Sequence, residues 1–212
     1  MNIIIERFIK IKSNINNDAV NIIAVSKTFN IDHIKPLIDF GHNHFGENKV
    51  QEASVKWSEE KSKNDKIILH MIGKLQSNKA KKAVDLFDYI HSLDNQKLAE
   101  TLSKIEKTQN KKVKYFIQVN IGREKQKSGI LPEELENFYN YCVNELNLNI
   151  IGLMTLPPHD KNASIYFKSL NELNMSLGLK DLSMGMSADY VEAIKFKATY
   201  LRIGSSIFGK RT

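Results

Sequence analysis

A short β-branched or apolar run, then a segment with helical spacing: this alternation recurs along the chain and constrains its fold more than any other feature. The runs are Asn21–Ser26, His42–Gly46, Ile67–Ile72, Tyr89–Ser92, Val113–Asn120, Ile150–Met154, Leu182–Met186 and Tyr200–Ile203. Between them, Asn95–Lys107 sets Leu98, Leu102 and Ile105 on one helical face. Pro132–Leu146 opens with Pro at a first-turn position and repeats Leu135, Phe138, Tyr139, Cys142 and Leu146 on one face. Ala163–Met175 and Ala188–Lys197 read as helices in the same way, and Pro36 predicts that the helix within Asp32–Phe40 starts near it. Strands that alternate with helices pair in parallel, because parallel neighbours need a crossover that a helix supplies. Eight such units close into a single-domain α/β fold, a (β/α)8 TIM barrel over residues 1–212, for which about 200 residues is the lower end of the usual size. Nine residues follow the eighth run, and the amphipathic segment Ile3–Ile15 is placed to supply the missing outer helix. An open doubly wound sheet is the alternative that periodicity leaves standing.

Composition narrows the class. Apolar residues make up 42% and charged residues 26%, values of an ordinary globular chain rather than a disordered or collagenous one. The single cysteine, Cys142, cannot pair within the chain and sits on an apolar helix face, so a reducing compartment and a core position are expected. No apolar run approaches the ~18 residues of a membrane helix, and the first segment lacks a signal-peptide pattern; a cytoplasmic protein is expected. The net charge of +7 comes from 27 Lys and only 4 Arg. Nucleic-acid readers favour Arg forks and exposed aromatics among the basic residues, so the Lys clusters around Lys79–Lys82 and Lys104–Lys114 read as solvated faces and no nucleic-acid partner is expected.

In a parallel α/β fold, chemistry collects where strands end and loops begin. Lys27 sits there, at the end of NIIAVSK. Desolvation at a barrel mouth would favour its neutral amine and a Schiff base with a carbonyl compound; the alternative is a solvated lysine marking the strand's exit. His70, inside IILHMI, reads first as a packed, hydrogen-bonded core residue. His42 and His44 share a strand face but have no ligand cluster beside them, so no metal site is expected. P-loop, GxGxxG and nucleophile-elbow motifs are missing. The segment LSMGMS places Gly185 and Ser187 at the exit of strand seven, and LRIGSSIFG places Gly204, Ser205 and Ser206 just after strand eight. Loops after these two strands are the recurrent phosphate site of such barrels. Arg202 adjoins them, able to contact a phosphate or an aromatic nitrogen, or to form an ion pair.

Seven segments then fall in register with one family: AVSKT (Lys27), FGENKVQE (Asn48), HMIGKLQSNK (His70, Gly73), QVNIGREKQKSG (Asn120, Lys127), GLMT (Met154), LSMGMSAD (Ser187) and RIGSSIFGKR (Arg202, Gly204). Across roughly Ile22–Lys210 the chain resembles the pyridoxal phosphate homeostasis proteins, fold type III barrels related to alanine racemase. Lys74 and Ser205 stand where the family commonly has proline and threonine; a serine keeps the hydroxyl. The resemblance implies that Lys27 forms an internal aldimine with pyridoxal 5′-phosphate. It implies that Ser187, Gly204 and Ser205 hold the phosphate, that Arg202 faces the pyridine nitrogen, and that Asn48, His70 and Met154 lie around the ring.

It also implies a role. Racemases of this fold add a second base, a tyrosine from a further domain, for which the sequence shows no place. The expectation is therefore a non-catalytic, monomeric carrier that buffers the cofactor or delivers it to enzymes lacking it. A racemase or lyase is the alternative, and a metal-dependent isomerase on a phosphate-binding barrel a more distant one.

Overall fold

The computed structural model describes residues 2–158 and 162–209. Helices and strands alternate in the order α1 (Ile3–Ile15), β1 (Asn21–Val25), α2 (Ile31–Asp39), β2 (His44–Glu47), α3 (Val50–Lys63), β3 (Ile68–Met71), α4 (Ala80–Leu86), β4 (Tyr89–Leu93), α5 (Gln96–Gln109), β5 (Lys114–Gln118), α6 (Leu135–Asn140), β6 (Asn149–Met154), α7 (Ala163–Ser176), β7 (Asp181–Met186), α8 (Tyr190–Lys195), β8 (Tyr200–Ile203) and α9 (Ser205–Phe208). All neighbouring strands pair in parallel and the sheet closes, β8 pairing with β1 through Ile23 opposite Arg202. Closure rules out the open sheet.

Helix α1 completes the outer ring as expected. Ile4, Phe8, Ile11 and Ile15 recur on one buried face, and the helix packs against α2, α8 and α9. No helix among the described residues is long and apolar enough to cross a membrane.

Two helices depart from the sequence reading. Helix α2 starts at Ile31, five residues before Pro36, because Asn30 caps it: the Asn30 side chain accepts from the His33 N–H at 3.0 Å. Pro36 forgoes only the bond to the carbonyl of Asp32, an exposed residue. The segment opened by Pro132 changes gauge twice, from a 3-10 turn (Pro132–Glu134) through α6 to a π turn (Tyr141–Glu145). The wider π turn still buries Cys142 completely, and burial pushes its thiol up to about 12.

Inside the barrel, Ile23, Tyr89, Phe116, Met154 and Tyr200 form a cluster separate from the larger one under the helices. Polar side chains share this interior: His70, His91, Ser183 and Arg202 are all buried. The His70 ring stacks on Tyr89 at 4.5 Å and the His91 ring on Phe116 at 4.3 Å.

Strand β7 carries a glycine that shapes its exit. Gly185 has φ +90°, and a Cβ there would lie 2.6 Å from the Ala193 Cβ. The register against β8 shifts between Ser183 and Met186, so the strand bulges around Gly185 and re-aims the segment that follows. Gly185→Ala is expected to destabilise the fold by about 2–3 kcal/mol, from positive-φ strain and overpacking together. Urea midpoints measure this; a change below 0.5 kcal/mol, roughly the scatter of neutral surface substitutions, would show that the bulge relaxes freely.

Candidate functional site

Lys27 stands on a tight turn just beyond β1. The Phe29 N–H donates to the Ser26 carbonyl at 3.2 Å, closing the turn, and Thr28 takes φ 71°. That conformation suits glycine, so a β-branched residue there is strained. Neighbours hold it in place. The Thr28 N–H donates to Glu52 Oε1 at 2.6 Å, and Lys56 Nζ donates to the Ser26 carbonyl at 2.9 Å. Beneath the turn, the wholly buried Glu47 accepts at Oε1 from Ser26 Oγ, Lys56 Nζ and Trp57 Nε1, at 2.7, 2.9 and 2.9 Å. Lys27 is thereby presented half-buried at the rim.

Asn48 follows β2 directly. Its backbone packs so closely on Gly73 that a Cβ on that glycine would lie 2.3 Å from the Asn48 carbonyl oxygen. The two Gly/Ser loops meet across the β7–β8 seam. Asp189 folds the first back by accepting from the Met186 N–H at 2.6 Å, which puts Ser187 at the turn. The Ser206 N–H then donates to Ser187 Oγ at 3.3 Å.

Arg202 lies below these loops, 4% exposed. Its Nη1 donates to Ser183 Oγ at 2.7 Å and its Nη2 to the Thr155 carbonyl at 2.8 Å. Among the described residues it has no carboxylate ion-pair partner. Burial lowers its pKa to about 10, against the opposing charge of Asp189, so it stays protonated at neutral pH.

Pairing brings most of the expected residues into one arc. Arg202, Gly204 and Ser205 on the β8 side adjoin Lys27 on the β1 side, Ser187 follows β7, and Asn48 follows β2. Two residues lie deeper. Met154 is fully buried in the interior cluster. His70 is fully buried, and both its ring nitrogens are engaged: Nε2 lies 2.9 Å from His44 Nδ1 and Nδ1 lies 2.9 Å from His91 Nε2. It is the packed, hydrogen-bonded residue that its strand context suggests, with no nitrogen left for a ligand.

The sequence reading passed over His91, Ser183, Glu47 and Lys56. The signal for the imidazoles was present: β2, β3 and β4 are consecutive, each carries a histidine, and consecutive strands of a barrel are neighbours. Desolvation holds His70 and His91 well below the ordinary imidazole pKa.

A family model for the N-terminal domain of alanine racemase matches residues 3–212. A pyridoxal phosphate homeostasis protein of Aquifex aeolicus is 36% identical, the match covering 92% of this chain and 88% of that protein. This chain belongs to the pyridoxal phosphate homeostasis protein family. A further family member, from Synechocystis, is 39% identical over 91% of this chain and 92% of its own. The structure of PipY from Synechococcus elongatus with pyridoxal phosphate bound superposes with a TM-score of 0.89 at 34% identity, covering 97% of this chain and 100% of that one. In this chain the RIGSSIFGKR segment ends at Lys210 and Arg211, which lie outside the described residues.

Proposed function

We propose that this protein binds pyridoxal 5′-phosphate through Lys27 and serves cofactor homeostasis, as a single-domain cytoplasmic monomer that buffers the cofactor or passes it to enzymes lacking it. The observation that carries the reading is Arg202. A buried guanidinium with no carboxylate ion-pair partner among the described residues, at the seam below Lys27 and the two Gly/Ser loops, calls for an acceptor from a ligand. A heteroaromatic nitrogen fits that need, and the residues around the seam fit the rest of the cofactor.

When bound, pyridoxal phosphate supplies an aldehyde that condenses reversibly with a primary amine. Lys27 offers that amine from a turn held rigid on the Glu47–Lys56 pair. Ser187 and Ser205 offer hydroxyls, and Gly204 close backbone approach, to the phosphate. Asn48 would flank the ring, with Met154 and His70 beneath it. Arg202 would donate at the pyridine nitrogen and keep its own proton, which would leave that nitrogen unprotonated and the ring a weak electron sink. That favours holding the cofactor over turning over amino acids.

Comparing pyridoxal with its phosphate tests the site. Several charge-assisted hydrogen bonds to the phosphate give an expected affinity loss of about 100-fold or more for pyridoxal, with inorganic phosphate competing. Equal affinities would remove the phosphate assignment. The loaded protein mixed with L-alanine in deuterated water is expected to show negligible α-proton exchange; exchange at about 1 per second or faster would replace the carrier with a racemase.

A further inference from the structure

We infer that Ser183 and His91 are positioning residues for Arg202, and that with His70 and His44 they form one directed hydrogen-bond chain from the mouth of the barrel to its base. The part of this concerning the cofactor rests on the function proposed above; the chain itself does not.

The links are continuous. Arg202 Nη1 donates to Ser183 Oγ at 2.7 Å, and Ser183 Oγ lies 2.8 Å from His91 Nδ1. His91 Nε2 lies 2.9 Å from His70 Nδ1, and His70 Nε2 lies 2.9 Å from His44 Nδ1. The groups come from β8, β7, β4, β3 and β2, so the Ser183–His91 link joins walls that are not neighbours in the sheet. His44, half-buried, is the last link. It lines a cavity of about 700 Å³ at the end opposite Lys27, together with Lys12, Asn21 and His42.

The direction follows from Arg202. A guanidinium only donates, so Ser183 accepts from it and has its own proton to give; His91 Nδ1 is in reach. An imidazole that accepts at Nδ1 and is neutral carries its proton on Nε2, and donates to His70 Nδ1. His70 repeats the pattern toward His44. Burial keeps His70 and His91 neutral. The reverse direction would leave the Ser183 hydroxyl proton, in a fully buried residue, without an acceptor in any hydrogen bond of the described residues. The chain and the Thr155 carbonyl together fix the guanidinium before any ligand arrives, which removes an ordering cost from binding.

Long-range proton–nitrogen spectra of the cofactor-free protein at pH 7.5 read the direction. His44, His70 and His91 are all expected as Nε2–H tautomers; His70 or His91 as Nδ1–H overturns the chain. In Ser183→Ala, His91 loses its donor and its tautomer is expected to become mixed. That variant is also expected to bind pyridoxal phosphate about tenfold more weakly, the loss of one hydrogen bond to a charged donor, and to shift the pH midpoint of the bound cofactor's absorbance. Ser183→Thr, which keeps the hydroxyl, is expected to restore all three. Wild-type tautomer, affinity and midpoint in Ser183→Ala would overturn the positioning role. If the tautomers are as stated and even the wild type takes up no cofactor, the proposed function falls and the directed chain stands.

Discussion

Lys27→Ala, incubated with pyridoxal phosphate and reduced with borohydride, is expected to retain no covalently fixed cofactor, whereas the wild type retains one per chain at Lys27. The variant removes the only amine that β1 and its strained turn deliver to the seam beside Arg202 and Gly204 among the described residues. The variant keeps the other supports of that turn, since Ser26, Glu47, Lys56 and Glu52 bond to one another and to the backbone. Stability is expected to stay within about 0.5 kcal/mol of wild type, as for other rim substitutions. Intact mass after reduction and a urea titration give both readings. A full-stoichiometry adduct in a folded Lys27→Ala protein would sink the assignment and point to another lysine.

Acid should unfold the protein steeply. His42, His70 and His91 all have folded pKa values depressed by burial, to about 4 for His42 and well below the ordinary value for the other two. Above about pH 6.5 the folded and unfolded chains both hold neutral imidazoles, and the stability is fully present. Below it the unfolded chain takes up protons that the folded chain refuses, so stability is lost as pH falls toward the folded values. Each such group gives a slope of about 1.4 kcal/mol per pH unit, and the three together roughly 4 kcal/mol per unit. Against a total stability of about 5–15 kcal/mol, the loss reaches roughly 5 kcal/mol by about pH 5.3 and roughly 10 kcal/mol by about pH 4, so the unfolding transition falls at about pH 5 or below. Urea midpoints at half-unit steps from pH 7.5 to 4.5 measure the slope. His91→Gln is expected to remove one proton's share of it, and a stability flat from pH 7 to 5 would show that these imidazoles titrate in place.

The strand pattern was legible because each barrel strand is a short apolar run bounded by turn residues, and Lys27 and Arg202 were legible because they stand at or beside strand exits. Closure was not, since periodicity is the same in an open sheet; it is settled by Ile23 pairing with Arg202. Pro36 misled because a proline is a louder signal than Asn30, yet the cap decides where the helix starts. His91 was passed over because a single histidine in an apolar strand reads as core. Its partners include Ser183, 92 residues away on the far wall, and no local pattern encodes a contact across a lumen. For His70 the strand context pointed to a packed, hydrogen-bonded residue, and both of its ring nitrogens are engaged.

The pairing of β1 with β8 also bears on when the site comes into being. Lys27 and Arg202 approach each other only once the first and last strands zip together, the most non-local contact in the sheet and one of the slowest kinds to form. On the ribosome, a chain still lacking β8 carries Lys27 but has neither the guanidinium nor the β8 loop beside it. The proposed binding seam is a late product of folding, so on that reading a nascent or misfolded chain does not offer a reactive aldehyde this ready-made place to lodge.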